Sequence, residues 1–326
     1  MALTGRDLVS ILDFSNDEIT LVLDTAEQMA EALGWETDAE RQPLAPLDRI
    51  LATLFFEPST RTRMSFESAM LRLGGSVISM ADAKASSAAK GESLADTARI
   101  ISGYADIIVC RHPETGSAQA FAEAASVPVI NAGDGHNEHP TQTLTDLFCL
   151  RRKKGTLEGL KVSLCGDLKF GRTVHSLAPA LARFGCELTF ISPPALAMPE
   201  EVTEKVRELG AEPEVTDDLG GALDGLDMLY MTRIQQERFA DPAEYEKYKG
   251  VYVLDKKLMK KAPEDMLVLH PLPRVDEIAS EIDADPRAVY FEQARGGVPV
   301  RMALIALLLG IVEETGTSKR SGLMEP

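Results

Sequence analysis

Short apolar runs rich in β-branched residues alternate with amphipathic stretches from one end of this chain to the other, and no other feature narrows the fold as far. The first half carries 50-ILATLFF-56, 76-SVISM-80, 106-DIIVC-110 and 127-VPVIN-131. The second carries 161-KVSLC-165, 187-ELTFIS-192, 226-LDMLYM-231, 251-VYVL-254 and 266-MLVLH-270. Between them lie segments such as 17-DEITLVLDTAEQMAEALG-34, 118-AQAFAEAA-125 and 200-EEVTEKVRELG-210, which read as amphipathic helices. Near-continuous apolar strands separated by helices predict parallel sheets covered on both faces, an α/β fold of the doubly wound kind. At 326 residues the chain is long enough for two such domains. The run 141-TQTLTDLFCLRRKKG-155 reads as a helix closed by a basic turn, the natural joint between them. In open parallel sheets ligands bind at the carboxyl ends of strands, so function is to be sought in the turns that follow each strand.

The chain is acidic, with a formal net charge of −17, which argues against a general nucleic-acid or membrane-surface role and makes every cluster of arginines more informative. A hydrophobic fraction of 44% and a mean hydropathy of −0.07 are those of a soluble globular chain with real cores. Cys110, Cys149, Cys165 and Cys186 are scattered, mostly within apolar runs and never as CxxC. They are expected to be reduced core residues of a cytoplasmic protein. The first fifteen residues show no basic stretch leading into an apolar one, so no signal peptide is expected. The longest apolar stretch, 302-MALIALLLGIV-312, is too short for a bilayer and reads as a buried helix.

Against that background the stretch 57-EPSTRTRMSFESAMLRLGG-75 stands out. Phe66, Ala69, Met70 and Leu73 are spaced for one buried helix face, yet the helix opens on Ser59-Thr60-Arg61-Thr62-Arg63. A helix N-terminus carries about half a positive charge and favours acidic residues in its first turn. Two arginines there break the rule, and such breaks are expected at functional sites. One reading is a Ser/Thr cap with solvated arginines, one of them paired with Glu67. The other is an oxyanion site in which backbone N–H groups, three hydroxyls and a guanidinium converge on a phosphate, and the misplaced arginines favour it.

Other strand ends repeat the theme. Arg111 and His112 directly follow the strand 106–110. In 136-HNEHPTQTLTD-146 two histidines stand near Glu138 and Asp134. A metal site is one reading, but Pro140 favours an extended backbone at His139 and argues against both histidines sharing one helix face. The other reading is a neutral polar site with His139 as donor and Gln142 one turn on. The segment 166-GDLKFGRT-173 has P-loop spacing with Arg172 at the lysine position. A planar guanidinium fork suits carboxylates, and Leu168, Lys169 and Phe170 crowd a loop that should wrap phosphate closely, so Arg172 reads as a carboxylate clamp. Arg233 and Gln235 follow the strand 226–231, and the rigid turn Pro271-Leu272-Pro273-Arg274 follows 266–270. Five arginine-bearing turns at strand ends point to a small polyanionic ligand pair, a phosphate and a carboxylic acid being the simplest.

In this order FxEPSTRTRxSFE, HPTQxLxD, GDLKxGRTVHSL, YMTRxQxER and LHPLPRVDEI closely resemble the catalytic chain of the aspartate carbamoyltransferases, within the aspartate/ornithine carbamoyltransferase family, over about residues 3–312. The resemblance implies a carbamoyl phosphate-binding domain at 1–138, on which a C-terminal helix at about 299–314 packs back. It implies an aspartate-binding domain at 139–298, leaving 315–326 as a polar tail. The implied reaction moves the carbamoyl group of carbamoyl phosphate to the amine of L-aspartate in de novo pyrimidine (UMP) biosynthesis, with no metal and no organic cofactor.

Carried over by position, Ser59, Thr60, Arg61 and Thr62 correspond to the phosphate site, with Arg111 bridging phosphate and carbonyl oxygen. His139 corresponds to the carbonyl-oxygen partner and Gln142 to the acceptor for the carbamoyl NH2. Arg172, Arg233 and Gln235 match the residues that hold the two carboxylates of aspartate. The backbone of Pro271 and Leu272 matches the turn at the carbamoyl group and incoming amine. Ser86 and Lys90 match residues that the family inserts into a neighbouring subunit's site, which implies a homotrimer with shared active sites, and Lys90 would serve both substrates. The resemblance leaves open a regulatory subunit or a dihydroorotase as a further partner. Ornithine carbamoyltransferase is the near rival, set aside because Arg233 and the His270-Pro271-Leu272-Pro273-Arg274 turn suit a dicarboxylate. A P-loop-like NTPase built on 166–173 is the remote one.

Overall fold

The computed structural model describes residues 3–35, 47–81, 90–239 and 241–312. These form two compact units, one made of the described residues up to Phe148 and from Gly296 onward, the other Cys149–Arg295.

The first unit begins with α1 (Asn16–Ala32), β1 (Ile50–Phe55), α2 (Thr60–Arg72), β2 (Ser76–Met80), α3 (Leu94–Ser102), β3 (Ile107–His112), α4 (Ser117–Ala124) and β4 (Val129–Asp134). Its four strands are all parallel in the order β2-β1-β3-β4. β4 is buried throughout, and Ala52, Leu54, Ile108, Cys110, Phe121 and Val129 form a core on one face. Helix α5 (Pro140–Lys154), where the sequence places the joint, passes from this unit into the second.

The second unit continues with β5 (Lys161–Cys165), α6 (Arg172–Arg183), β6 (Glu187–Ile191), α7 (Glu200–Glu208), β7 (Glu214–Thr216), β8 (Met228–Met231), α8 (Pro242–Glu246), α9 (Lys256–Met259) and β9 (Leu267–Leu269). Helix α10 (Tyr290–Leu308) leads back to the first unit. The strands are again parallel, in the order β7-β6-β5-β8-β9, over a core containing Leu229, Met231, Leu254, Val268 and Tyr290. No helix among the described residues is long and apolar enough to cross a membrane.

Eight of the nine expected strands form. The exception is 251-VYVL-254, which makes only a single parallel bridge from Leu254 to Ile278. Tyr252 and Leu254 are buried and Val251 and Val253 exposed, so the alternation is real, but no neighbouring strand pairs with it and Asp255 caps α9 directly after. Conversely β7 is unannounced in the sequence: three residues at a sheet edge, with Val215 63% exposed, carry no burial pattern.

Strand order decides where ligands can sit. In the first sheet the chain runs outward from β1 to β2 and then returns to β3 on the other side. In the second, β5 leads outward through β6 and β7 before the chain returns to β8. The crevice beyond the carboxyl ends at such a reversal is the usual ligand position in this architecture. The strand ends concerned are those of β1, β3, β5 and β8: Ser59–Thr62, Arg172 and Arg233 follow β1, β5 and β8, and Arg111 stands at the end of β3 itself.

Candidate active site

Helix starts among the described residues differ in how they are capped. Helix α1 is capped by the Ser15 hydroxyl with Glu18 closing a capping box, and α3 by Ser93 with Asp96 in its first turn. Helix α2 has neither: the N-cap Ser59 makes no side-chain cap bond and the first turn holds no acid. Its first amides and the helix dipole therefore face the loop with two arginines beside them. The arginines separate by role. Arg63 is tied to the fold through Glu67 at 3.5 Å and Ser79 at 3.3 Å, with Thr53 and Ser79 also on Glu67. Arg61 is exposed.

Thr62 is buried and its Oγ1 lies 3.5 Å from Nε2 of the buried His139, whose Nδ1 is 3.4 Å from Thr141 Oγ1. One helical step on, Gln142 Nε2 donates to Asp146 Oδ1 at 2.7 Å, which fixes the amide so that its oxygen is the end left for a ligand donor. Arg301 supplies a nearby positive charge for Asp146. It is 4% exposed, stacked over the Phe66 ring at 4.9 Å, and burial pushes its guanidinium down to about 10, with Asp146 opposing the shift.

The parallel register pairs Phe55 with Arg111, and Phe56 N–H donates to Arg111 O at 2.8 Å, so the turn after β1 runs beside the end of β3. Arg111 thereby meets Glu57, 2.9 Å away, and its Nη1 reaches Ala132 O at 3.4 Å. The loop leading to His139 is built on buried Asp134, which accepts from Asn131, Gly116, Asn137 and the Glu138 amide. Glu138 accepts the Ile11 amide at 3.2 Å, and burial raises its carboxyl. The acids beside His136 and His139 thus hold backbone, and among the described residues no group of three or more His, Cys, Asp or Glu is arranged for a metal ion. Lys90 is exposed; Ser86 lies outside the described residues.

In the second unit, β5 is followed by Gly166, whose φ is +123°, and a Cβ there would come within 2.1 Å of Thr232 O. Only glycine allows the turns after β5 and β8 to approach so closely. The loop then folds on its own carboxylate: Asp167, fully buried, accepts the amides of Phe170 at 3.0 Å and Gln235 at 3.3 Å. Burial raises its carboxyl and Arg233 opposes the shift. A P-loop aims such amides at phosphate, whereas here an internal anion holds them; the NTPase reading has no cradle to rest on. Gln235 Nε2 donates to Phe170 O at 3.0 Å, joining the turn after β8 to the same loop. Arg172 is the first residue of α6, a helix with no side-chain cap and no acid in its first turn, and is half-buried. Arg233 is paired with Glu237, which holds its guanidinium above the usual range.

Of the five arginine turns, the one after β9 differs. Arg274 is bound by Asp283 and Tyr290 and lies over the Tyr290 ring, so its charge is structural. Ahead of it, Leu272 takes a left-handed φ of +56°. Its N–H donates to His270 Nδ1 at 2.8 Å. The sequence pointed to Arg61, Thr62, Arg111, His139, Gln142, Arg172, Arg233, Gln235 and the 271–272 turn, but not to the acids around them. Glu57, Asp146, Asp167 and Glu277 sit inside the same motifs, which was the only signal available.

Two family models match the chain. One, described as the aspartate/ornithine carbamoyltransferase carbamoyl-P binding domain, covers residues 6–152, and its Asp/Orn binding domain counterpart covers 158–308. The aspartate carbamoyltransferase catalytic subunit of Thermococcus gammatolerans is 56% identical over 308 residues, 94% of this chain and 99% of that protein. That of Methanosarcina acetivorans is 52% identical over 314 residues, 96% of this chain and 100% of that one. Among solved structures, the catalytic subunit of M. jannaschii aspartate transcarbamoylase superposes with a TM-score of 0.85 at 49% identity, covering 94% of this chain and 98% of that one. The Trypanosoma cruzi aspartate transcarbamoylase in complex with carbamoyl phosphate and aspartate gives 0.87 at 39% identity, with 94% and 98% covered.

Proposed function

The chain belongs to the aspartate/ornithine carbamoyltransferase family. From that premise we propose that it transfers the carbamoyl group of carbamoyl phosphate to the amine of L-aspartate, giving N-carbamoyl-L-aspartate and phosphate for pyrimidine synthesis. The observation that carries the reading is the pairing of arginines with uncapped, acid-free helix starts at the reversal of each sheet: α2 with Arg61 and Arg111, α6 with Arg172 and Arg233.

The two units divide the substrates. In the first, Ser59, Thr60, Arg61, Thr62 and Arg111 hold the phosphate dianion, with backbone amides of α2 completing the site. Gln142, its amide set by Asp146, accepts from the carbamoyl NH2. In the second, Arg172 and Arg233 each present a planar fork to a carboxylate of aspartate, and Gln235 assists. The backbone at Pro271 and Leu272 faces the carbamoyl group and the incoming amine. Ornithine would bring a cation to the same arginines, which disfavours it.

Carbamoyl phosphate is already activated, so the protein contributes orientation and charge stabilisation rather than a covalent intermediate. The neutral amine adds to the carbamoyl carbon, forming a C–N bond and an oxyanion held by Thr62, Arg111 and His139. The C–O bond to phosphate then breaks, Arg61, Arg111 and Lys90 stabilise the departing dianion, and the phosphate collects the amine proton. Lys90 and Ser86 come to each site from a neighbouring subunit of a homotrimer.

The test is formation of carbamoylated product by the purified chain with carbamoyl phosphate and either L-aspartate or L-ornithine, without added metal. Turnover with aspartate alone is expected. Turnover with ornithine alone would retain the phosphate half of the reading and overturn the arginine clamp; a mixed experiment in which active chain is restored from Arg61→Ala and Lys90→Ala chains would establish the shared sites.

A further inference from the structure

The turn at Pro271 and Leu272 is held by a buried relay outside the substrate-facing set. His270 and Glu277 are 1% and 5% exposed. His270 Nε2 lies 2.7 Å from Glu277 Oε1, its Nδ1 accepts the Leu272 amide at 2.8 Å, and its own amide donates to Gln293 Oε1 at 2.9 Å. The same Glu277 carboxylate accepts the amides of Val275 and Asp276, so one acid organises the backbone from 270 to 277.

These partners determine the imidazole tautomer. A ring nitrogen that accepts an amide N–H cannot carry a proton, so the proton sits on Nε2 and is donated to Glu277. A carboxylate can only accept, which forbids the opposite tautomer. Burial is the largest single influence and raises the Glu277 carboxyl, but the contact with His270 and the backbone amides of Glu277 and Val275 together outweigh it, and the net shift is downward, keeping the acceptor ionised. Leu272 needs such support. A left-handed φ is unfavourable for a branched side chain, and it persists only where the surroundings impose it.

We propose that Glu277 and His270 are positioning residues for carbamoyl transfer: Glu277 locks His270 as the Nε2–H tautomer, and the Nδ1 lone pair then holds the Leu272 amide, setting the backbone that faces the reacting groups. The inference rests on the reading of the 271–272 turn given above. A purely structural hydrogen bond would affect folding stability alone. A tautomer lock makes a sharper demand, because an amide in place of the carboxylate can donate to Nε2, move the imidazole proton to Nδ1 and set it against the Leu272 N–H with the packing unchanged.

Three variants separate the cases. Glu277→Gln is expected to lower kcat about 10- to 100-fold, the usual scale for a group that orients a site residue. Its thermal midpoint should stay close to wild type, and the His270 ring signal in 15N spectra should move towards the Nδ1–H form. His270→Ala is expected to lose at least as much. His270→Asn keeps an acceptor able to reach the amide two residues on, as in an Asx turn, and is expected to recover most of the turnover. The proposal is overturned if Glu277→Gln keeps wild-type kcat and KM, if the wild-type ring is in the Nδ1–H form, or if a folded His270→Asn is as slow as His270→Ala. Should His270→Ala fail to fold, Glu277→Gln and His270→Asn still decide. A wild-type chain that makes no carbamoyl-aspartate would instead remove the function and this role with it, an outcome distinct from active wild type with unaffected variants.

Discussion

The guanidinium of Arg111 lies 2.9 Å from the carboxylate of Glu57, a pair 54 residues apart in sequence that the parallel register of β1 and β3 brings side by side. Both side chains are shielded, at 11% and 23% exposure. In the proposed site, phosphate would therefore compete with an internal carboxylate for Arg111. A partly shielded ion pair of this kind contributes about 0.5–1 kcal/mol. Replacing the acid by its amide keeps the shape and weakens the competition. Glu57→Gln is expected to tighten carbamoyl phosphate binding about two- to fivefold, read by titration calorimetry in the absence of aspartate. Unchanged or weaker binding would mean that Glu57 serves the phosphate site rather than competing with it.

That pair also marks where the sequence stops being legible. Alternation of apolar runs with helices carried the α/β class, because strand and helix periods differ enough to be read in single segments. The anomaly at Arg61 and Arg63 carried the proposal of a phosphate site, because a helix start has a preferred charge. Strand order has no such local signature, so nothing in the sequence says that Glu57 meets Arg111 or that Asp167 meets the Gln235 amide. Nor does a charge reveal its partner. Arg274 looked as available as the other strand-end arginines, and only the fold shows Asp283 holding it; for the 59–63 turn the sequence offered Glu67 as a partner, and the fold assigns that partner to Arg63. The segment 251-VYVL-254 failed for a related reason: a strand pattern needs a neighbouring strand to pair with, and here the chain supplies one bridge.

Asp167 gives a prediction confined to the second unit. Its two oxygens receive the amides of Phe170 and Gln235, which ties the loop bearing Arg172 to the turn bearing Arg233. Asparagine retains one acceptor and turns an NH2 group towards the other amide, leaving a buried donor unsatisfied at a cost of about 1–3 kcal/mol. Asp167→Asn is expected to raise the aspartate KM about five- to hundredfold while carbamoyl phosphate affinity stays within about twofold of wild type. Steady-state kinetics with each substrate varied in turn would show it. Equal losses for both substrates would place the role of Asp167 in overall folding instead.

Arg301 tests whether the base of the carbamoyl half is held electrostatically. The guanidinium is packed against Phe66 from α2, Asp146 from α5 attracts it, and Gly297 leaves it room, since a Cβ there would come within 2.1 Å of Nη1. Its Nε has no hydrogen-bond partner among the described residues, so the charge depends on the ring face and on Asp146 rather than on a full set of acceptors. Removing the cation leaves the Asp146 carboxylate buried, with the Gln142 amide still donating to it. Breaking one side of such a buried arrangement costs about 3 kcal/mol, whereas removing both charges costs less. Arg301→Leu is therefore expected to lower stability by that amount in denaturant unfolding. Adding Asp146→Asn should recover part of the loss, giving a coupling free energy well above additivity error. Strict additivity of the two substitutions would show that the two charges do not sense each other, and the orientation of Gln142 would then rest on its hydrogen bond to Asp146 alone.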